Sequence, residues 1–150
     1  MRYLFFLMFL SISLLYSKEY KAVFDCSSKD MQYVASRMFL IERTIDMIEK
    51  DSDTVKFAIT IHGSCAPVVS KNYDEIILDD NRLLHVKRAQ DQLVKLIEKK
   101  SVEVVVCEMS LNANTITKED VISSVKISKN SFIDTIGYQN NGYALMTFKC

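Results

Sequence analysis

Residues 102–111 read Val102-Glu-Val-Val-Val-Cys107-Glu-Met-Ser-Leu111, a short β-branched run that stops at a cysteine and turns polar. Five apolar residues in six, with no strict alternation, is the pattern of a strand covered on both faces, as in a parallel sheet flanked by helices. The residues after Cys107 read as the first turn of a short helix. That arrangement places a thiol near the partial positive charge of a helix amino terminus, which favours the thiolate. Glu108 beside it opposes that effect.

Working outward, the chain alternates strands and helices. On the amino-terminal side, Tyr20 to Cys26 (YKAVFDC) and Thr54 to Ile61 (TVKFAITI) are predicted strands, the second closed by His62-Gly63. Between them Asp30 is a helix cap. Met31, Val34, Ala35, Met38, Ile41, Ile45 and Ile48 then recur at spacings of three and four, which places them on one helical face. Leu83, Val86, Ala89, Leu93, Leu96 and Ile97 mark a second amphipathic helix running to Lys100, where Lys99 and Lys100 suit the negative end of the dipole. Beyond Cys107, Thr117 to Asp120 has the form of a capping sequence for a short helix. Val125 to Ser128 is a strand, Ser131 to Tyr138 a helix, Asn141-Gly142 a stop, and Tyr143 to Phe148 a closing strand. In the stretch 70–81, Asp74, Glu75, Asp79 and Asp80 flank Ile76-Ile77-Leu78, open to reading as a short strand, a helix turn or an ordered loop; the acids lack the spacing of a calcium loop, so a solvated loop is the expected reading. Regular alternation implies right-handed crossovers and a three-layer α/β/α sandwich around a mostly parallel five-stranded sheet.

Composition narrows the function classes. The chain has 150 residues, 49% of them hydrophobic, with 19 Lys plus Arg balancing 19 Asp plus Glu. A net charge of zero argues against a phosphate-neutralising nucleic-acid surface and against a polybasic membrane-surface protein. With three Gly and one Pro there is no glycine-looped nucleotide site and no low-complexity block. Residues 1–17 combine Arg2, an apolar run of about a dozen residues and a small residue at Ser17, which is the form of a secretory signal peptide. Residues 18–150 are then a single exported domain, with periplasmic or another oxidising localisation and no membrane attachment after cleavage. Leu15 fits the position before the cut poorly, which leaves a shifted cut or a retained anchor as the alternative.

All four cysteines, Cys26, Cys65, Cys107 and Cys150, fall in the exported part, and an even count allows one or two bridges without requiring any. In a parallel sheet the strand carboxyl ends share one edge, where sites gather. Cys26 ends the first strand, Cys65 lies just beyond the second and Cys107 ends the third, so these three thiols and His62 are expected along that edge. Cys107 is the candidate nucleophile, or else a buried small hydrophobe. Cys65 and Cys26 are accessory thiols or disulfide partners, of each other or of Cys107, and His62 is a neighbour. These residues have the composition of a zinc site but not its paired spacing, so neither metal nor cofactor is expected. His85 is expected to be solvated with Arg88, Gln92 and Lys95.

The stretch Val102-Glu-Val-Val-Val-Cys107-Glu-Met-Ser-Leu111-Asn-Ala-Asn-Thr-Ile-Thr117-Lys-Glu-Asp120-Val resembles the DsrE/DsrF-like family, with its apolar strand, terminal Cys, short helix and Thr-x-x-Asp helix start. Val125-Lys-Ile-Ser, Phe132-Ile-Asp-Thr-Ile and Gly142-Tyr143-Ala144 resemble its closing strand, helix and last strand. Tyr20 to Cys26 and Ile61-His62-Gly63 fit the first two strands. The resemblance implies a homo-oligomeric domain, trimer or hexamer, that carries sulfane sulfur as a persulfide between donor and acceptor proteins. Such a protein is a sulfurtransferase-like carrier without a cofactor. Cys107 matches the carrier position, whereas Cys65 and Cys26 lie outside the family pattern. The export signal departs from the cytosolic relay proteins. A non-catalytic oligomeric binding module with structural thiols, and a thiol–disulfide redox protein, are the alternative readings.

Overall fold

A computed structural model describes residues 17–148; the segment read as a signal peptide lies almost entirely outside the described residues, and Cys150 wholly so. Five strands, β1 (Glu19–Cys26), β2 (Thr54–Ile61), β3 (Glu103–Cys107), β4 (Lys126–Ser128) and β5 (Ala144–Thr147), form one sheet in the order β4-β3-β2-β1-β5. Every pairing is parallel. Two long helices, α1 (Met31–Lys50) and α3 (Asp80–Lys100), pack side by side on one face, and α5 (Ser131–Asn140) lies against the other. The short α2 (Tyr73–Ile76) and α4 (Glu108–Ala113), with a 3-10 helix at Gly63–Val69, fill the connections.

The helices form where the sequence pattern places them. Asp30 caps α1 by accepting the Tyr33 N–H at 3.0 Å. The predicted apolar row then delivers Met31, Val34, Met38, Ile41 and Ile45 to the core, opposite Val86, Ala89, Leu93 and Leu96 of α3. Glu42, buried in the α1–α3 seam, is held by Lys95 at 2.7 Å and by the Gln92 amide at 2.7 Å. These bonds offset the cost of removing a carboxylate from water. α3 ends at Ser101, which takes a left-handed φ of 53°. α5 ends before Gly142, whose φ of 81° is a conformation that few side chains tolerate.

Two local expectations need correction. The stretch read as a solvated loop contains a helical turn, α2. Its Asp79 caps α3 by accepting the Arg82 N–H at 3.0 Å, so α3 starts earlier than its apolar periodicity shows. Ile77 is buried while Leu78 is exposed, which explains why the apolar triplet there has no helical or strand period. Thr117 precedes a single 3-10 turn, Lys118–Asp120, and its hydroxyl donates to the Asp120 carboxylate rather than accepting a backbone N–H.

The two faces of the sheet differ. Ala22, Cys26, Phe57, Ile59, Ile61, Val102, Val104 and Val106 belong to the core beneath α1 and α3. The alternate residues face α5, a single helix, and the amino-terminal half of that face carries Lys21, Lys56, Glu103 and Lys126. Glu103 is the one polar residue of the β3 run. It accepts hydrogen bonds from Lys126 and from the Tyr138 hydroxyl in this partly open cleft. On the other face a cleft of about 850 Å³ lies between α1 and the edge strand β5, lined by Phe24, Tyr33, Phe57, Met146 and Phe148.

Cys26 and Cys65 form a disulfide, with both residues wholly buried on the α1–α3 side. The bridge closes a loop spanning 39 residues, which includes all of α1 and β2. Closing a loop of this size restricts the unfolded chain by roughly 2–4 kcal/mol. Replacing both cysteines by Ala is expected to lower the unfolding free energy by about that amount in urea titrations, with little change at Cys107.

Candidate functional site

The carboxyl edge of the sheet gathers the expected residues and then divides them. Cys26, Ile61 and Val106 are register partners on neighbouring strands, so their side chains share the α1–α3 face. Cys107 follows Val106 and therefore points to the opposite face, towards α5. Asp25 and Thr60 point the same way. His62 continues β2 in an extended conformation, φ −150° and ψ 174°, with its N–H donating to the Cys26 carbonyl at 3.0 Å. Its imidazole thus falls on the same face as Thr60.

Two of the four sequence-predicted residues, Cys26 and Cys65, therefore do not cluster with Cys107, whereas His62 shares its face. Cys26 and Cys65 are joined to each other beneath α1 and α3, so the alternative of a bridge to Cys107 is corrected: the pleat of the sheet stands between them. A disulfide also removes both thiolates as metal ligands, and the described residues hold no group of three or more His, Cys, Asp or Glu suited to a metal ion.

Cys107 is the free thiol of the described residues and is 5% exposed. It occupies the cap position of α4. Burial pushes its ionisation upward. The nearby backbone N–H groups of Ser110, Ser131 and Met109 and the Ser110 hydroxyl, which favour the charged form, outweigh that effect. Together they hold the thiol below its ordinary pKa. The thiol therefore sits among amide groups at the starts of both α4 and α5. Ser110 is itself fixed, because its hydroxyl oxygen accepts the Gly63 N–H at 2.8 Å. Asn114 ties the same elements together, donating to the carbonyls of Gly63 at 3.0 Å and Ser110 at 2.7 Å. Gly63 takes a φ of 54° there, which suits a residue without a side chain.

Next to this cradle, His62 Nε2 and Asp25 Oδ1 lie 3.0 Å apart, and Thr60 Oγ1 donates to the same carboxylate oxygen at 2.9 Å. Both partners are half-buried. Burial raises the Asp25 pKa, but the bonds from His62 and Thr60 outweigh it and hold the carboxyl below its usual range. The bond to Asp25 raises His62; burial opposes this, and the charges of Asp25 and Cys107 add to the rise. Sequence reading found His62 but missed Asp25, Ser110 and Ser131. Asp25 carries a visible signal, an acid that follows the apolar run Ala22-Val-Phe24 one residue short of the end of its strand. The two serines carry none. His85, expected to be solvated, is half-buried, and its Nδ1 is buried without a hydrogen-bond partner.

A parallel α/β/α domain presenting one cradled thiol at a strand carboxyl end defines a class of small thiol-bearing sandwich proteins. The comparisons with known proteins agree on which. A sequence model of the DsrE/DsrF-like family matches residues 21–148, and the chain belongs to that family. An uncharacterized protein of Aquifex aeolicus (strain VF5) is 33% identical over 144 residues, 96% of this chain. The chain spans 63% of the length of that relative. A solved protein of unknown function from Methanobacterium thermoautotrophicum superposes with a TM-score of 0.65 at 14% identity. The match covers 85% of this chain and 98% of that one, and it shows the shared fold. Among the described residues no helix is long and apolar enough to cross a membrane.

The Asp25–His62 pair sets a pH window for stability. His62 has a raised pKa in the fold, so its contribution is full below the unfolded imidazole value and is lost as pH rises through the folded one. Asp25 is lowered, so its contribution is present above the unfolded carboxyl value and is lost as pH falls through the folded one. The stability lost in His62→Gln should therefore be greatest between about pH 4 and 6.5. Urea unfolding at pH 3, 5.5 and 8.5 checks this; an equal loss at all three would show that the pair contributes no charge interaction.

Proposed function

We propose that the protein is an exported sulfur carrier that holds sulfane sulfur as a persulfide on Cys107. The single observation that supports this reading is the cradle: a free thiol at the end of β3 that the polar groups at the starts of α4 and α5 hold below its ordinary pKa. Persulfide transfer needs a thiolate that attacks the outer sulfur of a donor and then presents that sulfur to an acceptor thiol. Family membership supports a sulfur-relay type of protein, and the cradle supplies the nucleophile such a relay requires. The Cys26–Cys65 bridge suits an oxidising compartment, in keeping with the signal-peptide reading of residues 1–17. Because that bridge is buried on the opposite face, Cys107 has no neighbouring thiol among the described residues to trap it in a dead-end disulfide. The same separation removes the motive for a thiol–disulfide redox reading.

The partners proposed are a sulfur donor protein, an acceptor protein and further copies of the same chain. Phe132, Ile133 and Ile136 of α5 are exposed, as is Met109 on α4. An apolar row of this kind beside the thiol is costly to leave in water and suits contact with protein. Replacing Phe132 and Ile136 by Asp is expected to reduce the sedimenting mass to that of a monomer, and an unchanged mass would place the interface elsewhere.

The test of the carrier reading is sulfur loading. Protein treated with a low-molecular-weight persulfide should gain one cyanide-labile sulfur, found by mass spectrometry on the Cys107 peptide. Cys107→Ser should abolish the gain. Loading that survives this substitution, or never appears on Cys107, overturns the reading.

A further inference from the structure

The two extended residues that follow the Ile61–Val106 pair are His62 and Cys107, on adjacent strands and on the same face of the sheet. Adjacent strands run roughly 4.8 Å apart, so the imidazole and the thiol stand side by side at the carboxyl edge. Asp25, one strand further along, holds the imidazole by Nε2, and Thr60 fixes the Asp25 carboxylate. The order across the sheet is therefore carboxylate, imidazole, thiol, contributed by β1, β2 and β3 in turn. The other charged groups around the site are engaged elsewhere: Glu108 pairs with Lys118 at 2.6 Å, and Asp134 accepts the Ser128 hydroxyl.

We infer that His62, oriented by Asp25, pairs as an imidazolium with the Cys107 thiolate and handles the proton of sulfur transfer. The inference rests on the carrier reading of Cys107 and adds the group that reading lacks. The thiolate attacks the outer sulfur of a donor persulfide R–S–SH, so that the Cys107 sulfur–sulfur bond forms as the donor's breaks. The donor leaves as R–S⁻ and takes a proton from His62 to become R–SH. The new Cys107 persulfide gives its proton to the neutral imidazole, which restores the ion pair as persulfide anion and imidazolium. Atoms, charge and electrons balance without an oxidant or reductant. Asp25 is a positioning residue that keeps the imidazole charged and aimed.

The test compares wild type with His62→Gln, following iodoacetamide labelling of the Cys107 peptide and its loading by glutathione persulfide from pH 5 to 9.5. His62→Gln is expected to move the labelling midpoint upward by about one pH unit, with labelling near pH 7 about tenfold slower and recovered at high pH. Superimposable profiles overturn the inference. A reciprocal measurement does not depend on the folding of that variant: in Cys107→Ser the His62 imidazole, followed by NMR, should titrate at lower pH than in wild type. An unmoved His62 also overturns it. The carrier reading fails separately. If labelling shifts but wild type gains no sulfur, the ion pair stands without the relay; if wild type loads and the profiles coincide, the relay stands without His62.

Discussion

Because successive residues of a strand point to opposite faces, a cysteine at the last position of β1 and one at the last position of β3 need not meet. The register pairs Cys26 with Ile61, and Ile61 with Val106, so Cys107 is one residue out of phase with Cys26. That single residue sends Cys26 into the dry core to join Cys65 and sends Cys107 towards α5. One edge thereby carries a locked sulfur pair and an ionisable sulfur with the sheet between them. Thiolate attack on a disulfide requires close approach along the S–S axis, which this pleat denies.

The two faces also differ in covering. α1 and α3 bury the bridge under two full-length helices sealed at Glu42, where burial makes a disulfide inert. A single helix covers the other face. There the start of α5 reaches the thiol, while the lower half stays open and polar around Glu103 and Tyr138. The thin side is where chemistry can be reached from outside, and the thick side supplies stability. Cys107 lies on this side and is 5% exposed. Met109 of α4 and Phe132 of α5, the elements that begin at the thiol, are both exposed.

Much of this was legible in the sequence, for a physical reason. Long amphipathic helices and apolar strands write their periods over many residues, so α1, β2 and the positions of all five strands along the chain could be read directly. Short elements are set by caps and tertiary contacts instead. Asp79 could be read as a helix cap only once Ile77 was known to be buried and Leu78 exposed. The site was half legible: parallel topology brings Cys26, Cys65, His62 and Cys107 to one edge, but which of them face one another depends on register. Register depends in turn on strand order, here β3-β2-β1, which hydrophobic periodicity does not encode.

Ser110 and Ser131 show the limit most sharply. Neither belongs to a motif, yet the backbone N–H of each favours the ionised form of Cys107, and the identity of a serine is nearly irrelevant to what its backbone does. What matters is that α4 and α5 begin where they do, α5 because Asn130 caps it by accepting the Phe132 N–H at 2.8 Å. The lowered thiol pKa is thus a property of two helix starts meeting at a strand end. A family that keeps the strand-end cysteine and both helix boundaries can keep the cradle while the residues lining it change. Asp25 and His62 are different in kind, because their contact is made between side chains and no backbone group can replace it.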